Sequence, residues 1–386
     1  MSIAEVEPEV VDRVRQRLAD RPGDLSPHRV AEALREAGRP VGDATVLAVY
    51  EALRRDVLGA GPLEPLLRQP GVTDVLVNGP DQVYVDRGDG LEATAVRFAD
   101  DESVRRLAQR LAAMAGRRLD DSAPFADLRL PDGSRCHAVL APVSRPGTAI
   151  SLRVPPARAF TLDELLDAGT LTQGGADLLQ RLVAARVAFL VSGGTGSGKT
   201  TLLAALLSLV DPAERLILVE DASELRPDHP HVVGLESRPA NVEGAGEVPM
   251  RVLVRQALRM RPDRLVVGEV RGDEVADLLA AMNTGHEGGC GTLHANSAAD
   301  VPARVEALAM AAGMSQDAAH SQLASAVDAV VHLARGLDGR RRVAEVAVLR
   351  RGPSGRVRAE PALTFSADGT TREHPAADRL VERLRR

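Results

Sequence analysis

The sequence predicts an α/β protein whose largest part is a parallel sheet, preceded by a small α+β domain and an N-terminal helical segment. After Phe160, short apolar runs alternate with helical patterns, which is the order that builds a parallel sheet. Further upstream, short strand patterns are joined by hairpin signals such as Asn78-Gly79. We therefore expect four parts: a helical segment, an α+β domain, a linker and an α/β domain, at residues 1–58, 59–154, 155–160 and 161–386.

The N-terminal segment is predicted to be a small helical bundle, because three apolar stripes recur at helical spacing. The stripes are Val10, Val11, Val14 and Leu18; Val30, Ala31 and Leu34; and Val46, Leu47, Tyr50, Leu53 and Val57. Breaks at Arg21-Pro22-Gly23 and Gly38-Arg39-Pro40 separate them.

The α+β domain is predicted from short strands around one helix over residues 103–114. The strand patterns cover residues 72–77, 82–86, a segment ending near Phe98, 128–130, 136–140 and 149–154. The run from Gly61 to Leu67 indicates a turn and a short helix, and Pro131-Asp132-Gly133 indicates a hairpin turn.

Three strands of the α/β domain are predicted to end in side chains that can do chemistry. Its predicted strands cover residues 187–191, 216–220, 265–269 and 343–349, and residues 288–294 lead into a further strand. Its predicted helices cover residues 201–210, 252–260, 273–282 and 378–384. Glu220, Glu269 and His294 stand at strand ends. Because open α/β sheets bind ligands at the carboxyl ends of their strands, we expect these three side chains at one edge.

A glycine-rich loop joins the first of these strands to its helix and fits the pattern G-x-x-x-x-G-K-[ST]. Glycines let the backbone wrap closely around a phosphate, and the helix N-terminus favours the negative charge. The residues predicted to bind nucleotide are Gly193, Gly194, Thr195, Gly196, Ser197, Gly198, Lys199, Thr200 and Thr201.

The composition of the chain singles out Lys199. The 48 Lys and Arg residues include one lysine, Lys199, and therefore 47 arginines. A compact ammonium fits between phosphates where a planar guanidinium does not. The only lysine thus stands at the one position where its chemistry is specifically required.

Composition, net charge and cysteine content limit the classes of function that the chain can have. A hydrophobic content of 44% and a charged content of 26% are those of an ordinary globular protein. The net charge of −6 disfavours direct nucleic-acid binding. Cys136 and Cys290 lie far apart without CxxC spacing, so neither a disulfide framework nor a zinc site is expected. The absence of a signal-peptide pattern and of a long apolar run favours a cytoplasmic protein with a peripheral role, if any, at a membrane.

Phosphoryl transfer to water requires Mg²⁺, a group that positions the water, and positive charge on the phosphoryl group. Thr200 and Glu269 are the predicted Mg²⁺ ligands, and Glu269 is also the candidate to activate water. Glu220 is expected to share metal or water positioning. The alternative for Glu269 is an edge carboxylate in a strand-end turn.

Histidine and arginine positions add weaker predictions. His294 is a candidate sensor of the γ-phosphate, although a lone histidine is as often structural, and His286 is a lesser candidate. Arg251, Arg255 and Arg259 recur every four residues, which predicts one helix face, either solvated or in contact with another subunit.

These motifs together resemble the type II/type IV secretion-system ATPases, in particular the Tad/Flp pilus assembly ATPases, from Gly59 to about Val348. The matching stretches are 61–67, 77–79, 116–120, 130–135, the phosphate loop, Glu220-Asp221-Ala222-Ser223-Glu224-Leu225 (similar to the family's Asp box), 258–264, Gly268-Glu269-Val270-Arg271-Gly272, and 281–288 with His294-Ala295-Asn296 (similar to its His box).

The resemblance implies a homohexameric ring of RecA-like motors, each with a mobile N-terminal domain. ATP hydrolysis would drive pilin polymerisation through an inner-membrane platform protein at the cytoplasmic membrane face. It makes Glu269 the Walker B glutamate, places Glu220 in the Asp box and His294 in the His box, and makes Arg135 and Arg153 candidate arginines that reach a bound nucleotide.

Three other functions remain open at this point. The same motor could serve a type IV secretion or conjugation channel, because only the translocated substrate separates the two. A nucleotide-binding scaffold without turnover is a second alternative, against which the intact Lys199, Thr200 and Glu269 argue. A DNA-stimulated motor is disfavoured by the acidic net charge.

Overall fold

The computed structural model describes residues 14, 26–36, 42, 45–50, 59–88, 90–130, 133–155, 158–238, 240, 244–285, 287–336, 339–366 and 368–385. The chain divides into two compact units, Met1–Pro155 and Pro156–Arg386. Across the described ranges, no helix combines the length and apolarity that a membrane crossing requires.

The described part of the N-terminal segment is helical and has a small core of its own. Helix α1 spans Pro27–Glu36, and residues 45–50 are also helical. Val30 and Leu34 of α1 pack in one cluster with Val14, Val46 and Val49. Leu47, predicted on an inner stripe, is instead 53% exposed. The rest of the predicted bundle lies outside the described residues.

The first unit contains a six-stranded antiparallel sheet in the order β3-β2-β1-β6-β5-β4. Its elements are a 3₁₀ turn Gly61–Leu63, α2 Glu64–Leu67, β1 Asp74–Asn78, β2 Val83–Asp86, β3 Leu91–Ala93, α3 Asp101–Met114, β4 Phe125–Arg129, β5 Arg135–Val139 and β6 Ala149–Arg153. Buried and accessible residues alternate along β1 and β6, because only one face of the sheet joins the core that includes α3.

The predicted end of β3 near Phe98 is wrong. Pairing with β2 continues only to Thr94, whose N–H donates to the carbonyl of Val83. The chain then turns back, the Phe98 N–H donates to Pro80, and the Phe98 ring enters the core. The alternation of Val96 and Phe98 therefore reflects a packed loop. Pro131 and Asp132 of the predicted hairpin turn lie outside the described residues.

The second unit is built on a nine-stranded sheet in the order β15-β14-β13-β12-β7-β11-β10-β8-β9. Its helices are α4 Leu162–Asp167, α5 Gln173–Ala184, α6 Lys199–Leu207, α7 Met250–Ala257, α8 Glu274–Met282, α9 Val301–Ala311, α10 Gln316–Ala326 and α11 Ala377–Arg383. Its strands are β7 Phe189–Gly193, β8 Leu216–Glu220, β9 Val232–Glu236, β10 Arg264–Val270, β11 Cys290–His294, β12 Ala329–Arg335, β13 Arg341–Arg351, β14 Val357–Phe365 and β15 Thr371–Glu373.

Six neighbouring strands of this sheet are parallel, in the spatial order β12-β7-β11-β10-β8-β9. Strands β13, β14 and β15 extend the sheet beyond β12 with antiparallel pairing. Residues of β7 and β8 are buried throughout, because one core, which includes α5 and α6, covers one face and a second core, which includes α7 to α10, covers the other. This is the α/β architecture that the sequence predicts.

Several predicted helices differ from the observed ones at their ends, and two of these differences affect residues that the sequence singles out. The helix after the glycine loop begins at Lys199 rather than Thr201 and ends at Leu207, so Leu209 lies outside it and is 40% exposed. Helix α7 ends at Ala257 and is followed by a 3₁₀ turn, Leu258–Met260. Arg259 is therefore not part of the α-helix.

The arginines of α7 pair with the neighbouring helix α8. Arg251 Nε and Arg255 Nε each donate to a carboxylate oxygen of Asp277 at 2.7 Å. These two side chains thus contribute to contacts within the chain, an arrangement that their spacing alone does not predict.

A buried ion pair fixes the start of β10. Arg264 is 2% exposed, and its Nε donates to Glu214 Oε2 at 2.7 Å, while its Nη2 donates to the carbonyl of Val183 at 2.9 Å. Arg186 also lies 3.3 Å from Glu214. The guanidinium therefore ties β10 to the end of α5 and to the segment before β8.

We expect Arg264→Leu to lower the free energy of unfolding by about 3 kcal/mol, because it leaves a largely buried carboxylate without its main partner. Urea denaturation of the purified chain measures the loss. Arg350→Leu is the matched control: it breaks an exposed pair with Glu360, 3.3 Å away, and should cost less than about 1 kcal/mol. Equal losses in the two variants would contradict the structural role of Arg264.

Candidate functional site

The glycine loop connects β7 to α6 with a backbone that needs glycine at several points. Gly193, Gly196 and Gly198 have φ values of 152°, 69° and 93°. A Cβ on Gly193 would lie 2.6 Å from the carbonyl oxygen of Leu333 and 2.6 Å from Ser197 Oγ. No side chain fits there without moving the neighbouring strand or the loop.

The interior of this loop holds the Lys199 ammonium and the Ser197 hydroxyl group. Lys199 Nζ donates to the carbonyls of Gly193 at 3.1 Å and Gly194 at 2.9 Å. Partial burial lowers the pKa of Lys199, and the charge of Glu269 opposes that shift. Ser197 is 2% exposed, and its Oγ makes no hydrogen bond to the residues that the structure describes. A loop with these properties suits a phosphate group.

The rest of the loop is accessible to a ligand. Thr195 and Gly196 are exposed, while Thr200 and Thr201, in the first turn of α6, are partly exposed. The backbone of the loop and the start of the helix can therefore contact phosphate oxygens from outside the core.

Glu269 is the accessible carboxylate beside the loop. It is the exposed residue of the otherwise buried strand β10, and its charge acts on Lys199. The structure thus brings together Lys199 and Glu269, two residues that stand seventy positions apart. An exposed carboxylate near a phosphate loop can hold a metal ion or orient a water molecule.

Glu220 lies on the adjacent strand but has a different environment. It is 4% exposed, and its Oε1 accepts hydrogen bonds from the N–H groups of Glu224 at 3.0 Å and Leu225 at 2.9 Å. A Cβ on Gly268 would lie 2.7 Å from Glu220 Cγ. One oxygen is therefore engaged in holding the turn after β8, and the predicted part of Glu220 in metal or water positioning stays a prediction.

A buried acid that the sequence analysis missed shapes the loop after Glu269. Glu274 is 3% exposed, and its Oε1 accepts from the N–H groups of Arg271 and Gly272, both at 2.8 Å. Arg271 also forms an ion pair with Asp221, which follows Glu220. An acid in the first turn of α8 is the sequence signal that could have indicated this residue.

His294 lies next to the start of the glycine loop. It ends β11 and is the register partner of Gly193 on β7. Together with Asn296, Asp300 and Arg304, it lines a cleft of about 390 Å³. The structure thus places His294 at the same edge as Glu269, as the sequence predicts for strand ends. His286 lies outside the described residues.

A second histidine, also missed from the sequence, links the glycine loop to the His294 segment. His332 of β12 is buried, its Nδ1 lies 2.9 Å from Ser192 Oγ, and its ring hydrogen-bonds the backbone of Asn296. Burial lowers the pKa of His332 and the charge of Lys199 lowers it further, while Asp300 and the Asn296 backbone oppose the shift. The neutral ring is therefore favoured.

Arg135 and Arg153 belong to the first unit. They are directly opposite each other on the paired strands β5 and β6, and both are exposed. The site described above is built from the second unit alone, so any part of these arginines in it remains a prediction.

The groups around the loop fit a magnesium nucleotide. Thr200 offers a hydroxyl at the helix start, and Glu269 offers an accessible carboxylate. Oxygen ligands of this kind suit Mg²⁺, which usually takes its remaining ligands from water and substrate phosphates. Within the described ranges, no cluster of three or more His, Cys, Asp or Glu side chains could hold a metal ion by itself.

The sequence model of a family described as "Type II/IV secretion system protein" matches residues 56–375. The chain is also 58% identical over 325 residues to a Mycobacterium tuberculosis protein (strain H37Rv) with the provisional name of conjugal transfer protein, covering 83% of this chain and 92% of that protein. It is 32% identical over 314 residues to the type IV secretion system protein PtlH of Bordetella pertussis, covering 74% and 92% of the two chains.

A solved structure supports the fold. The pilus retraction motor PilT, crystallised with ADP, matches 74% of this chain and 80% of its own with a TM-score of 0.54 and 21% sequence identity. At this identity the likeness concerns the fold alone.

We expect Glu274→Ala to speed amide hydrogen exchange at Arg271 and Gly272 by roughly tenfold or more, because each N–H loses its buried acceptor. Exchange followed by mass spectrometry of the peptide around Glu269 measures the change. Glu247→Ala, which removes an exposed acid, is the control and should leave this peptide unchanged. Equal protection in all three proteins would contradict the role of Glu274.

We also expect a pH dependence from His332. The unfolded chain protonates this histidine near its ordinary pKa of about 6.5, whereas the folded chain protonates it only at lower pH. Stability should therefore fall as pH drops from about 7 to 5, and less so in His332→Gln. Thermal unfolding midpoints across this range measure the effect. Identical slopes in wild type and His332→Gln would refute the prediction.

Proposed function

We propose that this chain, which belongs to the type II/IV secretion system protein family, is an ATP-hydrolysing motor that converts phosphoryl transfer into domain motion. The observation that carries the proposal is the glycine loop with Lys199 at its centre and Glu269 beside it. At this one edge of the sheet, Lys199 is a cation that can bind a phosphate and Glu269 is a carboxylate that can activate water.

Each residue of the loop has a part in binding. Backbone N–H groups of residues 193–201 would cradle the phosphates, and Lys199 would exchange its two loop carbonyls for β- and γ-phosphate oxygens. Thr200 and Glu269 would hold Mg²⁺, which supplies charge neutralisation to the phosphates when bound. Burial lowers the pKa of Lys199 because it disfavours the charged ammonium. A bound phosphate would stabilise that charge again.

Glu269 would then orient and deprotonate the attacking water. It is accessible, whereas Glu220 is buried and holds the backbone at residues 224 and 225. This difference supports Glu269 as the base and gives Glu220 the task of supporting the neighbouring strand end. His294 is the register partner of Gly193, at the start of the loop. This position supports a role in sensing whether a nucleotide is bound.

The active form would be a homohexamer with sites completed between subunits. Ring ATPases need an arginine from outside the loop to stabilise the transition state. Arg135 and Arg153, side by side and exposed on the first unit, have the required chemistry. We assign them this part on the resemblance to the family.

Two machines fit such a motor. The motif resemblance favours a Tad/Flp pilus assembly ATPase, which would act on an inner-membrane platform protein from the cytoplasmic face. The names of the Mycobacterium and Bordetella relatives favour a conjugation or type IV secretion channel instead. The chemistry is the same in both, and the cargo is what separates them.

We expect Glu269→Gln to retain nucleotide binding and the mass of a hexamer, while Mg-ATP turnover falls by a factor of about 10² or more, because the amide cannot accept the proton of water. Phosphate release and mass are measured in the same samples. Glu247→Gln is the control for loss of an exposed carboxylate and should hydrolyse ATP at the wild-type rate.

Other outcomes would change the assignment. Wild-type turnover in Glu269→Gln would overturn the role of Glu269 and move it to Glu220. A formed ring without turnover in wild type would support a scaffold, or a motor that requires its membrane partner.

A further inference from the structure

An arginine from a distant part of the chain lies against the glycine loop. A Cβ placed on Gly198 would lie 3.6 Å from Cδ of Arg341 and 3.8 Å from Cδ2 of Leu333. Gly198 immediately precedes Lys199, so the Arg341 side chain passes beside the part of the loop where α6 begins.

The strand register explains why Arg341 is there. Strand β12 pairs with β7 so that Leu333 is opposite Gly193. Strand β13 pairs with β12 so that Val343 is opposite Leu333. Leu333 and Val343 belong to the core that includes α6, and Arg341, two residues before Val343, lies on the same face of the sheet. Arg342 points to the opposite face.

The guanidinium of Arg341 is available for a ligand. It is exposed and makes no hydrogen bond or ion pair with the residues that the structure describes. Its neighbours are engaged: Arg335 donates to the carbonyl of Gly339 at 2.9 Å, and Arg340 and Arg342 both have interactions. Arg341 is therefore the member of this arginine group that lies beside the loop and has no partner among the residues that the structure describes.

The charges at this point favour an anion. Lys199 already brings one cation into the loop, and α6 directs its N-terminus to the same place. Ser197 Oγ adds a buried hydroxyl that has no partner within the described part of the chain. A strongly negative group that binds between these positive groups is attracted by all of them.

We propose that Arg341 is a nucleotide-binding residue whose guanidinium contacts the α- or β-phosphate at Gly198, a proposal that rests on the ATPase function above. Lysine in this loop reaches the β- and γ-phosphates, and the loop backbone cradles the α- and β-phosphates. A guanidinium at Gly198 therefore meets the phosphates that ATP and ADP share. It strengthens binding of substrate and product alike and leaves the chemical step unchanged.

The test compares Arg341→Gln with Arg342→Gln, which removes the same charge from the opposite face of the same strand. Binding of methylanthraniloyl-ADP and of Mg-ATP is measured by fluorescence, with inorganic pyrophosphate as a competitor. We expect Arg341→Gln to weaken ADP, ATP and pyrophosphate binding each by about tenfold or more, the effect of one charge-assisted hydrogen bond. The KM for ATP should rise while kcat stays within about twofold of wild type.

Arg342→Gln should bind ADP as wild type does, and Arg341→Lys should recover part of the affinity, because it keeps the charge without the fork. The unfolding temperature without nucleotide should be unchanged in Arg341→Gln, since the side chain is exposed. Unchanged ADP affinity in Arg341→Gln would overturn the proposal. Weaker ADP binding with unaltered pyrophosphate competition would also overturn it, by placing the guanidinium on the base or ribose. Failure of the wild type to bind any nucleotide would instead refute the ATPase function itself.

Discussion

The site depends on how closely the end of β7 approaches β12. The Cα of Gly193 lies so near the Leu333 carbonyl and the Ser197 hydroxyl that a Cβ would meet both at 2.6 Å. This contact leaves no room for a side chain at Gly193, and the Lys199 ammonium donates to the carbonyls of Gly193 and Gly194. Because β12 supplies that wall, the antiparallel strand β13 beside it can also place a side chain, Arg341, at the loop.

Buried polar groups hold the neighbouring strand ends in position. Glu220 binds the turn after β8, Glu274 binds the turn after β10, and His332 connects Ser192 to Asn296. Each satisfies donors or acceptors that burial would otherwise leave unpaired. Of the two strand-end acids, Glu269 is accessible to a ligand, whereas Glu220 is buried and holds the backbone.

The strand-end residues could be predicted because parallel strands share one carboxyl edge, and the structure does gather Glu269 and His294 beside the loop. Glu274, His332 and Arg341 could not, because their positions depend on register and on contacts across the sheet. The predicted strand near Phe98 shows the same limit: apolar alternation is compatible with a packed loop whenever tertiary contacts exist to bury it.

The sequence by itself determined the α/β class, and it predicted a phosphate loop centred on Lys199, since both rest on local order or on residue type. Tertiary structure decided which acid is exposed, which histidine is buried and which arginine lies beside Gly198. The physical reason is that the chemical identity of a side chain is local, whereas burial, charge partners and distance to a loop are set by strands that meet only after folding.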